Sequence, residues 1–191
     1  REITEKYKES NISEMKILFL DRFFKLFPLY ALATIFLLFN GEEVILFTAG
    51  EEFLGAQTSL QLISIYSLLN IFVLFNSIIH LSTERNKEYG NISSISFFVG
   101  CLYLTYVFFE GTLDASGLAR TMICVCLIQN SVLLLSNFKF LKIDKLYFVL
   151  QMAAILTITL IVVFFVNYLN LFVLFNVFLC LVIGLALNFV F

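Results

Sequence analysis

Apolar residues in this chain come in long blocks, with neither the alternation of a strand nor the single stripe of a surface helix. Six runs stand out, roughly 23–47, 59–82, 92–109, 117–136, 146–166 and 169–191. Most approach or exceed the roughly 20 residues that a helix needs to cross the hydrocarbon of a bilayer. The pattern predicts an all-α, polytopic transmembrane helical bundle of about six spans, arranged as three helical hairpins. The first run is the weakest, because its uncharged core from Leu26 to Gly41 is 16 residues long and Pro28 lies near its start. Pro28 either serves a kink or simply sits in the first turn, where a proline costs little. Ahead of it, "NISEMKILFL" reads as a short juxtamembrane helix. Asn11 and Glu14 are spaced as a capping box, and Ile12, Met15 and Phe19 share one side. The predicted organisation is a cytoplasmic juxtamembrane segment over 1–22 and a six-span bundle over 23–191.

The connections then sort by charge. Eleven of the twelve Lys and Arg residues fall in the first 25 residues, in the second-to-third connection (Arg85, Lys87) or in the fourth-to-fifth (Lys139, Lys142, Lys145). The alternate connections hold acids instead: Glu42, Glu43, Glu51 and Glu52 over 42–58, and Glu110 and Asp114 over 110–116. The positive-inside rule makes the basic side cytoplasmic, with both ends of the chain on it, and turns the acidic connections outward.

Composition reinforces this reading: 61% of residues are hydrophobic, 14% are charged and mean hydropathy is +0.98, far from a soluble domain. The net charge of −2 gives no basis for nucleic-acid binding. Cys101, Cys124, Cys126 and Cys180 lie inside apolar blocks without CxxC spacing, so they read as small core residues, with no metal and no disulfide framework. No acid pair in a cleft, nucleophile near a histidine or glycine-rich phosphate loop is recognisable, so the chain reads as a non-enzyme without a cofactor. It opens on Arg1, has no signal-peptide pattern and stops inside an apolar block, as expected of an excerpt from a longer protein.

Polar side chains inside the runs are the candidate functional residues. Gln57, Gln61 and Ser64 share one face of the second run; Asn70 and Ser77 lie two turns apart, with His80 close to the same side. These residues either line a hydrophilic passage or join helices by hydrogen bonds, which average about 0.6 kcal/mol in bacteriorhodopsin, except that the lone His80, at the cytoplasmic end of its span, reads as a hydrated interfacial histidine. Arg120 is the one basic residue outside the basic connections, about one turn into the fourth run. It either reaches outward to headgroups, Asp114 or Glu110, or points with Cys124 and Ser131 into a cavity that receives an anion. The phrase "NIFVLFNS" from Asn70 returns as "NLFVLFNV" from Asn170, an echo that composition explains in a chain with 24 phenylalanines.

The order of these features resembles a known family. A charged cytoplasmic helix and a span with an early proline lead to the acidic turn "AGEEFLGA", a long span and a short basic loop. A further span follows, and "EGTLDASGLAR" opens the next. In this the chain is similar to the polysaccharide (O-antigen, Wzx-type) flippases of the multidrug/oligosaccharidyl-lipid/polysaccharide exporter superfamily. Gly50 to Phe53, the basic loop Thr83 to Lys87, and Gly111, Gly117 and Ala119 carry the match, which runs from about residue 3 to residue 136. Where Arg120 stands, the family usually has a small residue. The resemblance implies the carboxy-terminal half of a two-bundle transporter of the bacterial inner membrane. Its partners would be a polyprenyl-linked oligosaccharide, membrane lipids and the amino-terminal helices of the same chain. The implied mechanism is alternating access, with no covalent step. A multidrug or sodium exporter of the same superfamily is the nearest alternative. An oligosaccharide polymerase or ligase ranks below it, because such enzymes usually carry a large basic outward loop.

Overall fold

A computed structural model describes residues 2–9 and 11–168 of the chain. Every regular element among the described residues is helical: α1 (Glu2–Lys8), α2 (Ile12–Thr48), a 3-10 turn (Glu51–Ala56), α3 (Gln57–Ser82), α4 (Asn86–Phe109), α5 (Ala115–Leu141) and α6 (Lys145–Tyr168). Five of these, α2 to α6, are long and apolar enough to cross a membrane. The sixth predicted span, with Cys180 and the second copy of the Asn70 echo, lies outside the described residues.

The elements differ from the sequence expectation mainly in extent. The juxtamembrane segment and the first span are one helix, α2, of 37 residues. Pro28 therefore lies well inside it and not in a first turn. Without an N–H, Pro28 removes one backbone bond, yet the only non-helical dihedrals in α2 are at Asn40 (φ −119°, ψ 23°). There the Asn40 side-chain amide donates to Phe36 O at 3.0 Å, the carbonyl that residue 40 serves through its backbone in a regular helix. Since α2 runs on to Thr48, Glu42 and Glu43 belong to its last turns, and the acidic connection to α3 shrinks to residues 49–56. The capping box at Asn11 is half formed. Asn11 Oδ1 accepts from Glu14 N at 3.1 Å, but the Glu14 carboxylate pairs with Lys6 of α1 at 2.8 Å. Lys6 also meets Glu9, and its ammonium is held well above the usual lysine range, first by Glu14 and then by Glu9.

The described residues divide into two compact units, one holding residues 2–9, 11–22 and 69–145, the other 23–68 and 146–168. In the first, Met15, Phe19, Ile79, Leu133 and Leu141 are fully buried, with Phe19 edge-on to Phe75 at 6.2 Å between ring centroids. Helix α4 packs on α5 through a face on which Ile92, Ser96 and Gly100 recur every fourth residue. A Cβ at Gly100 would overlap Val125 of α5, so the glycine sets how closely the two helices approach.

In the second unit, Phe23 stacks on Phe27 at 5.5 Å and meets Phe148 of α6 at 5.3 Å. Leu32, Ile35 and Phe36 pack with Val163 and Val166. Two bonds tie α2 to α3: Thr34 Oγ1 donates to Ser64 O at 3.0 Å, and Gln61 Nε2 donates to Leu38 O at 2.9 Å. Large apolar side chains also cover much of the outer surface. Phe97, Phe98, Phe108 and Phe109 of α4 and Phe164 and Phe165 of α6 are all exposed, as expected of helices whose surroundings are lipid.

Candidate functional site

The densest polar chemistry lies in the first unit, where the end of α3, the α3–α4 turn and the second half of α5 meet. The local sequence "NSIIHLST" puts Asn76 and His80 on one face of α3 at a spacing of four, with Thr83 just past its end. The helix closes by a bond from Arg85 N to His80 O at 2.9 Å, with Glu84 in the left-handed region at φ 58°. That turn aims Arg85 back over the start of α4, where Glu88 is one turn further on. Residues seven apart on α5 complete the set: Asn130 and Asn137 face inward, with Ser136 beside them.

Asn137 is fully buried. Its Nδ2 donates to Asn76 Oδ1 at 2.9 Å and to Asn76 O at 3.1 Å. Asn130 Nδ2 donates to Leu69 O at 2.8 Å, so two asparagines of α5 fasten two levels of α3. His80 is also fully buried, and its Nδ1 lies 3.0 Å from Asn76 O. A carbonyl oxygen only accepts, so Nδ1 carries the ring proton. That leaves Nε2, with no protein partner at hydrogen-bonding distance, 3.9 Å from Glu88 Oε1.

Glu88 is the hub. Its Oε2 accepts from Arg85 Nε at 2.9 Å and Nη2 at 2.5 Å, and its Oε1 accepts from Ser136 Oγ at 2.5 Å. Arg85 also reaches Ser136 directly, and its guanidinium lies 4.9 Å above the centre of the Phe140 ring. Beside this cluster is an open groove of about 760 Å³, lined by Arg85, Glu88, Ser136, Lys139 and Phe140 together with Val132 and Leu135. Comparison with protein-family models, characterised proteins and solved structures yields no match. The chemistry at the site is that of a tight Arg85–Glu88 ion pair in which Arg85 Nη1, like His80 Nε2, has no hydrogen-bond partner among the described residues.

The residues singled out in the sequence are divided between the two units. Gln57 and Gln61 lie in the second, half-buried beside Gly41, with Gln61 spending its amide on α2. Asn70, Ser77, His80 and Arg120 lie in the first. Ser77 is buried and its hydroxyl returns to Leu74 O of its own helix at 2.8 Å, while Asn70 is half-buried. Arg120 is exposed and makes no hydrogen bond or ion pair with the described residues. Its charge does act on Asp114. Asp114 caps α5, with Oδ1 accepting from Gly117 N at 2.7 Å; this bond, then Ser116 and other contacts including Arg120, hold the carboxyl below its ordinary range. The sequence reading missed Asn76, Glu88, Asn130, Ser136 and Asn137. The asparagines could have been found, since Asn76 and His80 are four apart on α3 and Asn130 and Asn137 seven apart on α5. The bonds of Ser136 to Glu88 and Arg85 join residues 48 and 51 positions apart, and no local spacing marks them.

Proposed function

We propose that this chain is the carboxy-terminal half of a flippase that moves a polyprenyl-linked oligosaccharide across the bacterial inner membrane. In this reading two helical bundles rock about a central cavity. The sugar and pyrophosphate cross in the hydrated space while the lipid tail stays in hydrocarbon. The observation that supports it best is the buried row of Asn76, His80, Asn130 and Asn137 within helices of membrane-crossing length. Polar groups enclosed among membrane-crossing helices are costly, and they concentrate where a protein handles polar cargo or must move. The separation of basic from acidic connections supports an orientation with the α3–α4 and α5–α6 turns cytoplasmic. The order of the acidic turn, basic loop and "EGTLDASGLAR" phrase supports the choice of cargo.

The test is a transfer assay with the full-length protein in vesicles. A polyprenyl-pyrophosphate oligosaccharide is loaded in one leaflet, and a glycosidase that cannot cross the bilayer attacks whatever reaches the other. Faster loss of the glycan than in protein-free vesicles is the expected result. Equal rates, with export of cationic drugs from the same vesicles, would replace the flippase by a drug exporter. Cysteines placed at Glu51 and Lys87 test orientation separately, with Glu51→Cys expected to react with an impermeant maleimide from outside the cell and Lys87→Cys only after permeabilisation.

A further inference from the structure

We propose that His80 Nε2 and Glu88 Oε1 form a proton-binding site whose loading sets the strength of the clasp between α4 and α5. Asn76 O fixes the proton of the neutral ring on Nδ1, so the nitrogen facing Glu88 carries a bare lone pair. Glu88 Oε1, 3.9 Å away, is likewise an acceptor, so two acceptors face each other at a fully buried ring. One added proton converts Nε2 to a donor and turns that opposition into a charge-assisted bond.

The charges acting on the ring are Arg85 and Glu88. Tyr89 of α4 adds a phenol with its ring centroid 6.4 Å from that of His80, and α5 offers the uncharged Ser136 and Asn137. With His80 neutral, the Arg85–Glu88 pair leaves the site with no net charge; loading one proton from water makes it +1. The proton's route is short, because the Glu88 side chain is 42% exposed while His80 is closed off. A proton accepted by the carboxylate needs only to pass to Nε2. Once the imidazolium claims Oε1, it competes with Ser136 Oγ for that oxygen, and the tie from α4 to α5 weakens. This inference is independent of the cargo, and holds whether or not the chain moves a lipid-linked oligosaccharide.

The experiment is solid-state NMR of the full chain in lipid vesicles, labelled with ¹⁵N-histidine, with the His80 signal assigned by its loss in His80→Gln. Near neutral pH the expected spectrum has Nδ1 protonated and Nε2 bare, with the imidazolium appearing on acidification. Glu88→Gln removes the facing charge and is expected to lower the proton affinity of His80 about ten- to a thousandfold. Should that variant not fold, Ser136→Ala leaves the carboxylate in place and frees Oε1, and is expected to raise the affinity. An Nε2-protonated neutral ring would overturn the proposal, as would a titration midpoint that neither Glu88→Gln nor Ser136→Ala moves in the expected direction.

Discussion

Asn137→Ala tests whether the buried asparagines hold α3 to α5. The substitution deletes two hydrogen bonds, to Asn76 Oδ1 and Asn76 O. At about 0.6 kcal/mol for an interhelical bond in a membrane protein, their loss costs about 1.2 kcal/mol. A residual cavity of about 30 Å³, at about 24 cal/mol per Å³, adds about 0.7 kcal/mol. The expected destabilisation is thus about 2 kcal/mol, measured as reversible unfolding by SDS in mixed micelles. A double-mutant cycle with Asn76→Ala isolates the side-chain pair. Only the bond to Oδ1 depends on both side chains, so the coupling should be about 0.6 kcal/mol and no more than about 1.7 kcal/mol. A coupling near zero, with Asn137→Ala as stable as the parent, would refute the claim that these asparagines fasten the helices.

Three further outcomes follow from other contacts. Gly100→Ala places a Cβ against Val125 and should cost about 1–3 kcal/mol by overpacking, with Val125→Ala restoring stability in the double variant; an innocuous Gly100→Ala would contradict the close approach of α4 and α5. The Asp114 cap stabilises the fold through a carboxyl held below its ordinary range. That contribution is complete above the unfolded-state value and disappears as pH falls through the lowered folded-state value, so thermal stability from pH 6 downward should fall less steeply in Asp114→Ala than in the parent. Arg120→Ala in the full-length protein should reduce glycan export at unchanged protein level; unchanged export would assign the exposed guanidinium to anchoring at the membrane surface.

How much of this was legible in the sequence depended on the range of the interaction. Membrane-crossing helices are local events, written in uninterrupted apolar runs, and α3 to α6 appear close to where those runs lie. Boundaries moved outward wherever polar residues continue a helix past the hydrocarbon. Thus α5 starts at Ala115 behind the Asp114 cap and runs to Leu141, and α2 absorbs the whole of "ISEMKILFLD". A charged turn of helix is no obstacle where water or headgroups can solvate it, so hydropathy under-reads such ends. His80 was visible as a lone histidine near a span end, but its burial was not. The α3–α4 turn folds Arg85 and Glu88 back over it, and Asn137 arrives from 57 positions further along the chain. Only the tertiary arrangement tells a hydrated interfacial histidine from an enclosed one.

The exposed phenylalanines of α4 and α6 have a consequence for how this fold is encoded. When the surrounding medium is as oily as the interior, hydrophobicity no longer sorts inside from outside; phenylalanines are found in both places, Phe19, Phe23 and Phe27 within, and the sorting passes to polarity and to small residues at close helix contacts. Phe97, Phe109 and Phe164 lie on the periphery, while Gly100, Ser96, Thr121, Asn76 and Asn137 are enclosed. The information that fixes helix neighbours is thus concentrated in a small, polar minority of positions. Exchange of one bulky apolar residue for another over most of the surface should be silent. The loss of a single small or amide-bearing residue should not be, which reverses the usual pattern of mutational tolerance in a water-soluble domain.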